Sequence, residues 1–105
     1  MNTDLDILQS ELDRVGVRIR DLEEQSEAHA KTRTHLAQNI SQLEGELEGG
    51  SADPQVSQKM LSHLRIEDEQ TAEAERLTQH HLKERKKQFD EFAEVLGMQQ
   101  ESSIA

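Results

Sequence analysis

Apolar positions in the first half of the chain recur at alternating steps of three and four residues. With Leu5 as position a of a heptad, the a series runs Leu5, Leu12, Ile19, Ser26, Arg33, Ile40, Leu47. The d series runs Leu8, Val15, Leu22, His29, Leu36, Leu43. The frame holds without a slip from Leu5 to Leu47, as in a coiled-coil helix whose apolar seam faces a partner helix. Thr3 is placed to cap that helix, and Asp4 and Asp6 put negative charge in its first turn, where the helix dipole favours it.

The pattern then breaks at Glu48-Gly49-Gly50-Ser51-Ala52-Asp53-Pro54. Paired glycines end a helix. An aspartate followed by proline starts one, because the carboxylate caps free amides and proline suits the first helical position. Such a short interruption predicts a helical hairpin: a helix over about 4–48, a turn at 49–53 and a second helix over about 54–96. At ~1.5 Å per residue each arm would be roughly 65 Å long. Gly97 is the expected end of the second helix, with 98–105 as a flexible tail.

The second arm is less regular. Leu61, Leu64, Leu82, Phe89, Phe92 and Leu96 fit one heptad frame, in which Asp68, Thr71, Glu75 and Thr78 fill the middle. Val56, Met60, Ala74, Leu77 and Val95 fit the neighbouring frame. Either the seam drifts or the arm has two apolar edges.

Charge supplies an independent test of direction. Folding Leu47 onto Val56 brings the acidic run Glu67, Asp68, Glu69, Glu73 and Glu75 beside Lys31 and Arg33. It brings the basic run Lys83, Arg85, Lys86 and Lys87 beside Asp13, Asp21, Glu23 and Glu24. A parallel in-register dimer would set like charge on like charge. The expected fold is therefore all-α: an antiparallel two-helix coiled-coil hairpin, assembling into a larger helical bundle. Ser26, His29 and Arg33 make the middle of its seam polar, and Arg33 is expected to put its head near Glu67 or Glu69. Apolar packing would then gather in a loop-end cluster, including Leu36, Leu43, Val56, Met60 and Leu61, and a termini-end cluster, including Val15, Leu22, Leu82 and Phe89.

Composition narrows the class of function. Hydrophobic residues make up 32% of the 105, too few for an ordinary globule, yet Leu, Glu, Gln, Arg, Lys and Ala dominate and all favour helix. No apolar run approaches the roughly 18 residues of a membrane span. The N-terminus lacks the basic and apolar regions of a signal peptide. There is no cysteine, hence no disulfide and no thiol chemistry. A cytoplasmic protein is expected. With 22 acidic against 12 basic residues, a net charge of −10 disfavours general affinity for nucleic acid or anionic membranes.

Candidate chemistry is sparse. His80 with Glu84, and His63 with Glu67, are i,i+4 pairs that could offer two metal ligands each, whereas zinc needs three or four. No phosphate loop, nucleophile elbow or zinc-protease motif occurs, and a two-helix hairpin offers no pocket to desolvate a carboxylate. The expectation is a non-enzymatic protein without metal or cofactor.

Two charged regions remain. Arg14, Arg18, Arg20, Lys83, Arg85, Lys86 and Lys87 would form a basic belt near the termini, a candidate docking patch; cross-arm ion pairing is its plainer use. No aromatic is interleaved there to stack bases. Glu44, Glu46, Glu48 and Asp53 make the turn an acidic tip. In outline that tip resembles the fingers that some bacterial transcription factors insert into the secondary channel of RNA polymerase, without a shared motif. The functional expectation is a structural, adaptor or assembly protein that binds another protein or further copies of itself. The alternative is an acidic regulator that inhibits an enzyme or nucleic-acid-binding protein by occupying its basic cleft.

Overall fold

The computed structural model describes the backbone of residues 3–104 and the side chains of residues 4–98. Two α-helices account for it: α1, Thr3–Glu48, and α2, Pro54–Ile104, folded back on each other as an antiparallel hairpin. The side chain of Thr3, the expected cap, lies outside the described residues.

The turn is built from the residues that announced it. Gly50 N–H donates to the Leu47 carbonyl at 3.2 Å, and Ser51 N–H donates to the Glu46 carbonyl at 3.1 Å. This pair of bonds is a Schellman motif, and it requires a left-handed residue just past the helix. Gly50 supplies it, with φ of 71°. Across the turn, Asp53 Oδ1 accepts from the Gln55 backbone N–H at 3.0 Å, which satisfies an amide of the first turn of α2.

Contacts divide the hairpin into two units, one of residues 3–24 with 78–104 and one of residues 25–77. In the first, Val15, Leu22, Leu82 and Leu96 are buried with Thr78, and Phe89 and Phe92 are half-buried. A Cβ built on Gly16 would stand 3.6 Å from the Phe89 ring, an ordinary contact. In the second unit, Leu36, Leu43 and Leu61 are buried with Ser57. On α1, the d residues Val15, Leu22, Leu36 and Leu43 are buried, while the a residues Leu12, Ile19, Ile40 and Leu47 are half-buried.

The second arm keeps one frame. Ser57, Leu61, Leu64, Asp68, Thr71, Glu75, Thr78, Leu82, Phe89, Phe92 and Leu96 are all buried or half-buried, at heptad steps. The seam therefore does not drift, and Val56 does not join the loop-end cluster. Val56 is more than half exposed, and Leu47 instead lines a groove with Gln58 and Leu61; Met60, also half exposed, lines a groove with Leu43 and Leu64.

One boundary also differs. Helix α2 passes through Gly97 to Ile104. A single glycine costs a helix about 1 kcal/mol relative to alanine, and the Met-Gln-Gln-Glu that follows favours helix. The side chains of 99–104, and Ala105, lie outside the described residues.

Candidate functional site

The polar seam has a definite internal structure. Ser26 and His29 are half-buried, and Arg33 is exposed at its a position. Its Nε donates to Asp68 Oδ1 at 3.1 Å, and its Nη1 stands 3.6 Å from Glu75 Oε2. Asp68 and Glu75 are one heptad apart on the seam of α2, so one guanidinium spans two carboxylates. Glu67 and Glu69, the partners expected from sequence, lie off the seam. The Asp68 hydrogen bond and charge, with a smaller contribution from Glu75, raise the Arg33 pKa above its ordinary value. Glu75 Oε2 is enclosed without a hydrogen bond of its own, so the charge of Arg33 at ion-pair distance is what it has. Neighbouring hydroxyls are turned inward to their own helices: Thr32 to the Ala28 carbonyl, Thr34 to Ala30 and Thr71 to Glu67.

The acidic tip is partly committed to structure. Glu44 Oε1 accepts from Arg65 Nη2 at 2.9 Å, a bridge between the helices. Glu46 accepts the Schellman bond on its carbonyl and a 3.4 Å bond from Gln42 on its carboxylate. Asp53 caps α2. Glu48 is exposed and lines an open groove with Glu44, Leu47, Gln58, Leu61, Ser62 and Arg65. Two acids and one arginine give that groove a mixed character.

All seven residues of the basic belt are exposed in the unit of the termini. Their heptad positions distribute them around both helices: Arg14 and Arg18 on one edge of α1, Arg20 on its outer face, Lys86 on the opposite edge of α2. Arg85 takes a seam position yet is exposed, and its Nη1 donates to Gln88. Arg14 pairs with Glu11 of its own helix at 3.5 Å. Among the described residues, no ion pair joins the belt to the acids expected opposite it. The shallow surface at Arg85 and Lys87 also contains Glu84 and Glu91, which reduces its positive potential.

Among the described residues, no three His, Asp or Glu side chains converge as metal ligands, and no helix is long and apolar enough to cross a membrane. Four concave features among the described residues are open grooves between or beside the helices, with polar side chains making up at least half of each lining.

Sequence reasoning missed the exposed apolar set. Ile7, Val17, Val56, Met60, Ile66, Leu77, Val95 and Met98 are each more than 40% exposed. The signal was there: Val56, Met60, Leu77 and Val95 already occupied a frame beside the seam. Comparisons with protein-family models, with curated proteins and with solved structures return no match.

Proposed function

We propose that this chain is a non-enzymatic protein–protein interaction module, a hairpin completed by joining a larger helical assembly. Its accessible surface carries the reading. The chain exposes 7892 Å². A compact monomer of its mass exposes about 6000 Å². The excess, roughly 1900 Å², is more than twice the ~800 Å² that each partner of a standard protein interface removes from water. Exposed large aliphatics on the outer faces supply the apolar part of that surface. The module is read as cytoplasmic and as working without a cofactor.

The acidic balance supports a second reading, an inhibitor that occupies a basic cleft. Salt separates the two. Apolar association persists when salt is raised, whereas charge mimicry weakens steeply. The test combines light scattering of the pure chain with affinity capture from the source cell, repeated at low and high salt. A chain that stays monomeric and captures nothing at either salt ends the interaction reading. Capture lost at high salt transfers the conclusion to the inhibitor.

A further inference from the structure

Building on the interaction reading, we infer that the groove between Glu46 of α1 and Met60 of α2 receives a third helix, supplied by another protein and carrying an aliphatic stripe edged with Lys or Arg. The groove belongs to the unit of residues 25–77 and is lined by Asn39, Gln42, Leu43, Glu46, Met60 and Leu64. With Leu61 and Leu64 at a and d of α2, Glu46 and Met60 both take position g of their helices. Glu44 and Arg65 take position e and line the other groove. In an antiparallel pair g faces g and e faces e, so the two grooves lie on opposite sides of the seam.

The sides differ in what they expose. Within this unit the large aliphatics exposed by more than 40% are Val56, Met60, Ile66 and Leu77. Met60 is at g, and Val56 and Leu77 are at the adjoining c position; Ile66 alone is on the back of α2, at f. The e and b positions of both helices hold no large aliphatic in this unit. A leucine entering the g-side groove meets Met60 with the seam residues Leu43 and Leu64 beneath it, and methionine adapts its shape to such a contact.

Charge states what kind of helix fits. On the e side Glu44 is already matched by Arg65, at 2.9 Å. On the g side stand Glu46 and, one heptad beyond Met60, Glu67. Neither has an ion-pair partner among the described residues, and no Lys or Arg occupies a c or g position in this unit. A second copy presenting the same side would set acid against acid. A helix flanked by Lys or Arg satisfies both carboxylates, and charge at flanking positions is what selects a coiled-coil partner.

The experiment uses the full chain and a synthetic three-heptad peptide with Leu at a and d and Lys at e and g, whose like charges keep it from pairing with itself. Fluorescence anisotropy should show it binding at least about tenfold more tightly than the same peptide with Glu at e and g. Met60→Ser should weaken binding about tenfold, and Glu46→Gln with Glu67→Gln by a similar factor at low salt. Glu48→Gln with Glu69→Gln removes the same charge from b positions, on the e side, and should leave binding unchanged. Met60, Glu67, Glu48 and Glu69 are exposed and Glu46 is half-buried, so circular dichroism should show unchanged helicity in every variant. Equal weakening by the two glutamine pairs would mean that net charge alone holds the peptide, and overturns the inference. So does a Lys peptide that fails to bind, or one that binds no better than the Glu peptide. A dimer of the pure chain that Met60→Ser dissociates gives the groove to a second copy and also overturns it. If the chain captures a protein from the source cell and Met60→Ser does not alter that capture, the interaction reading stands while this groove is not its site.

Discussion

Arg33 of α1 and Asp68 of α2 occupy seam positions that a coiled coil ordinarily gives to aliphatics, and they meet there through a 3.1 Å hydrogen bond. Glu75, one heptad further on, flanks the same guanidinium. Removing the arginine alone leaves two carboxylates on the seam with no countercharge. Arg33→Leu should therefore lower the melting temperature, despite adding an apolar residue. Replacing Arg33, Asp68 and Glu75 together by Leu should raise it by roughly 10 °C, since burial then replaces ion pairing. The triple variant should also lose register, giving mixed oligomers in native mass spectrometry, because polar seam groups specify register at a cost in stability. Thermal melts of both variants check the sign.

The raised pKa of Arg33 has a consequence for pH. A basic group whose folded pKa exceeds its unfolded value contributes stability that is fully present below the unfolded value and is lost as pH rises through the folded one. Arginine is already charged throughout the ordinary range, and the shift moves its titration further up. The difference in melting temperature between the native chain and Arg33→Leu should therefore stay flat from about pH 6 to pH 10. A difference that fades within that range would show that another group holds Asp68 and Glu75.

The glycines divide into two kinds. Gly50 sits at φ of 71°, where a Cβ strains the backbone, so Gly50→Ala should cost about 1–2 kcal/mol. Gly45 lies inside α1, where an added Cβ would meet nothing within 4 Å, and Gly16 would make only an ordinary contact with Phe89. Gly16→Ala and Gly45→Ala should each add up to about 1 kcal/mol, through helix propensity and a less free unfolded chain. Urea denaturation of the three variants should show the opposite signs.

Much of this architecture was legible in the sequence because its determinants are local. The heptad of α1, the glycine pair and Asp53-Pro54 each act within a turn or two of chain, and the hairpin follows from them. The partner of Arg33 was misassigned, although the frame already held Asp68 and Glu75. Glu67, Asp68 and Glu69 are adjacent, and only the angular position of each around α2 decides which one faces the seam. Extending the Leu61 and Leu64 frame through the polar middle selects Asp68 and Glu75; a count of apolar residues alone does not. The same gap hid Ser57, a buried polar residue at the start of that frame. The candidate site was least legible of all, because exposed aliphatics look like core residues until the seam has been fixed.

The bridge between Glu44 and Arg65 ties the two helices near the turn. Both side chains are about half exposed, so water screens their attraction. A double-mutant cycle with Glu44→Ala and Arg65→Ala should give a coupling of about 0.2–1 kcal/mol. The coupling should shrink when salt is raised to about 1 M, where the Debye length falls near 3 Å. Coupling that survives salt unchanged would mean that packing of the arginine stem, rather than charge, joins the pair.

Stability should vary along the unit of residues 25–77. Its buried side chains are Leu36, Leu43, Ser57 and Leu61, all on the side of the turn. From 25 to 35 and from 65 to 77, no described side chain is buried, and the seam there is held by Arg33, Asp68, Glu75 and the half-buried Ser26, His29 and Thr71. Burial stabilises by about 25 cal/mol per Å² of apolar surface, whereas exposed ion pairs contribute little. Helical amides open with the packing that covers them, so local opening should be easiest where packing is thinnest. In hydrogen exchange, amides of 26–34 and 68–77 should therefore exchange faster than those near Leu43 and Leu61. Arg33→Leu should speed them further by removing the charged link across this stretch of the seam, while exchange near Leu43 and Leu61 stays unchanged. Uniform exchange along the unit would mean that the polar stretch is held as firmly as the leucine cluster, and that Arg33, Asp68 and Glu75 do not mark a weak segment of the seam.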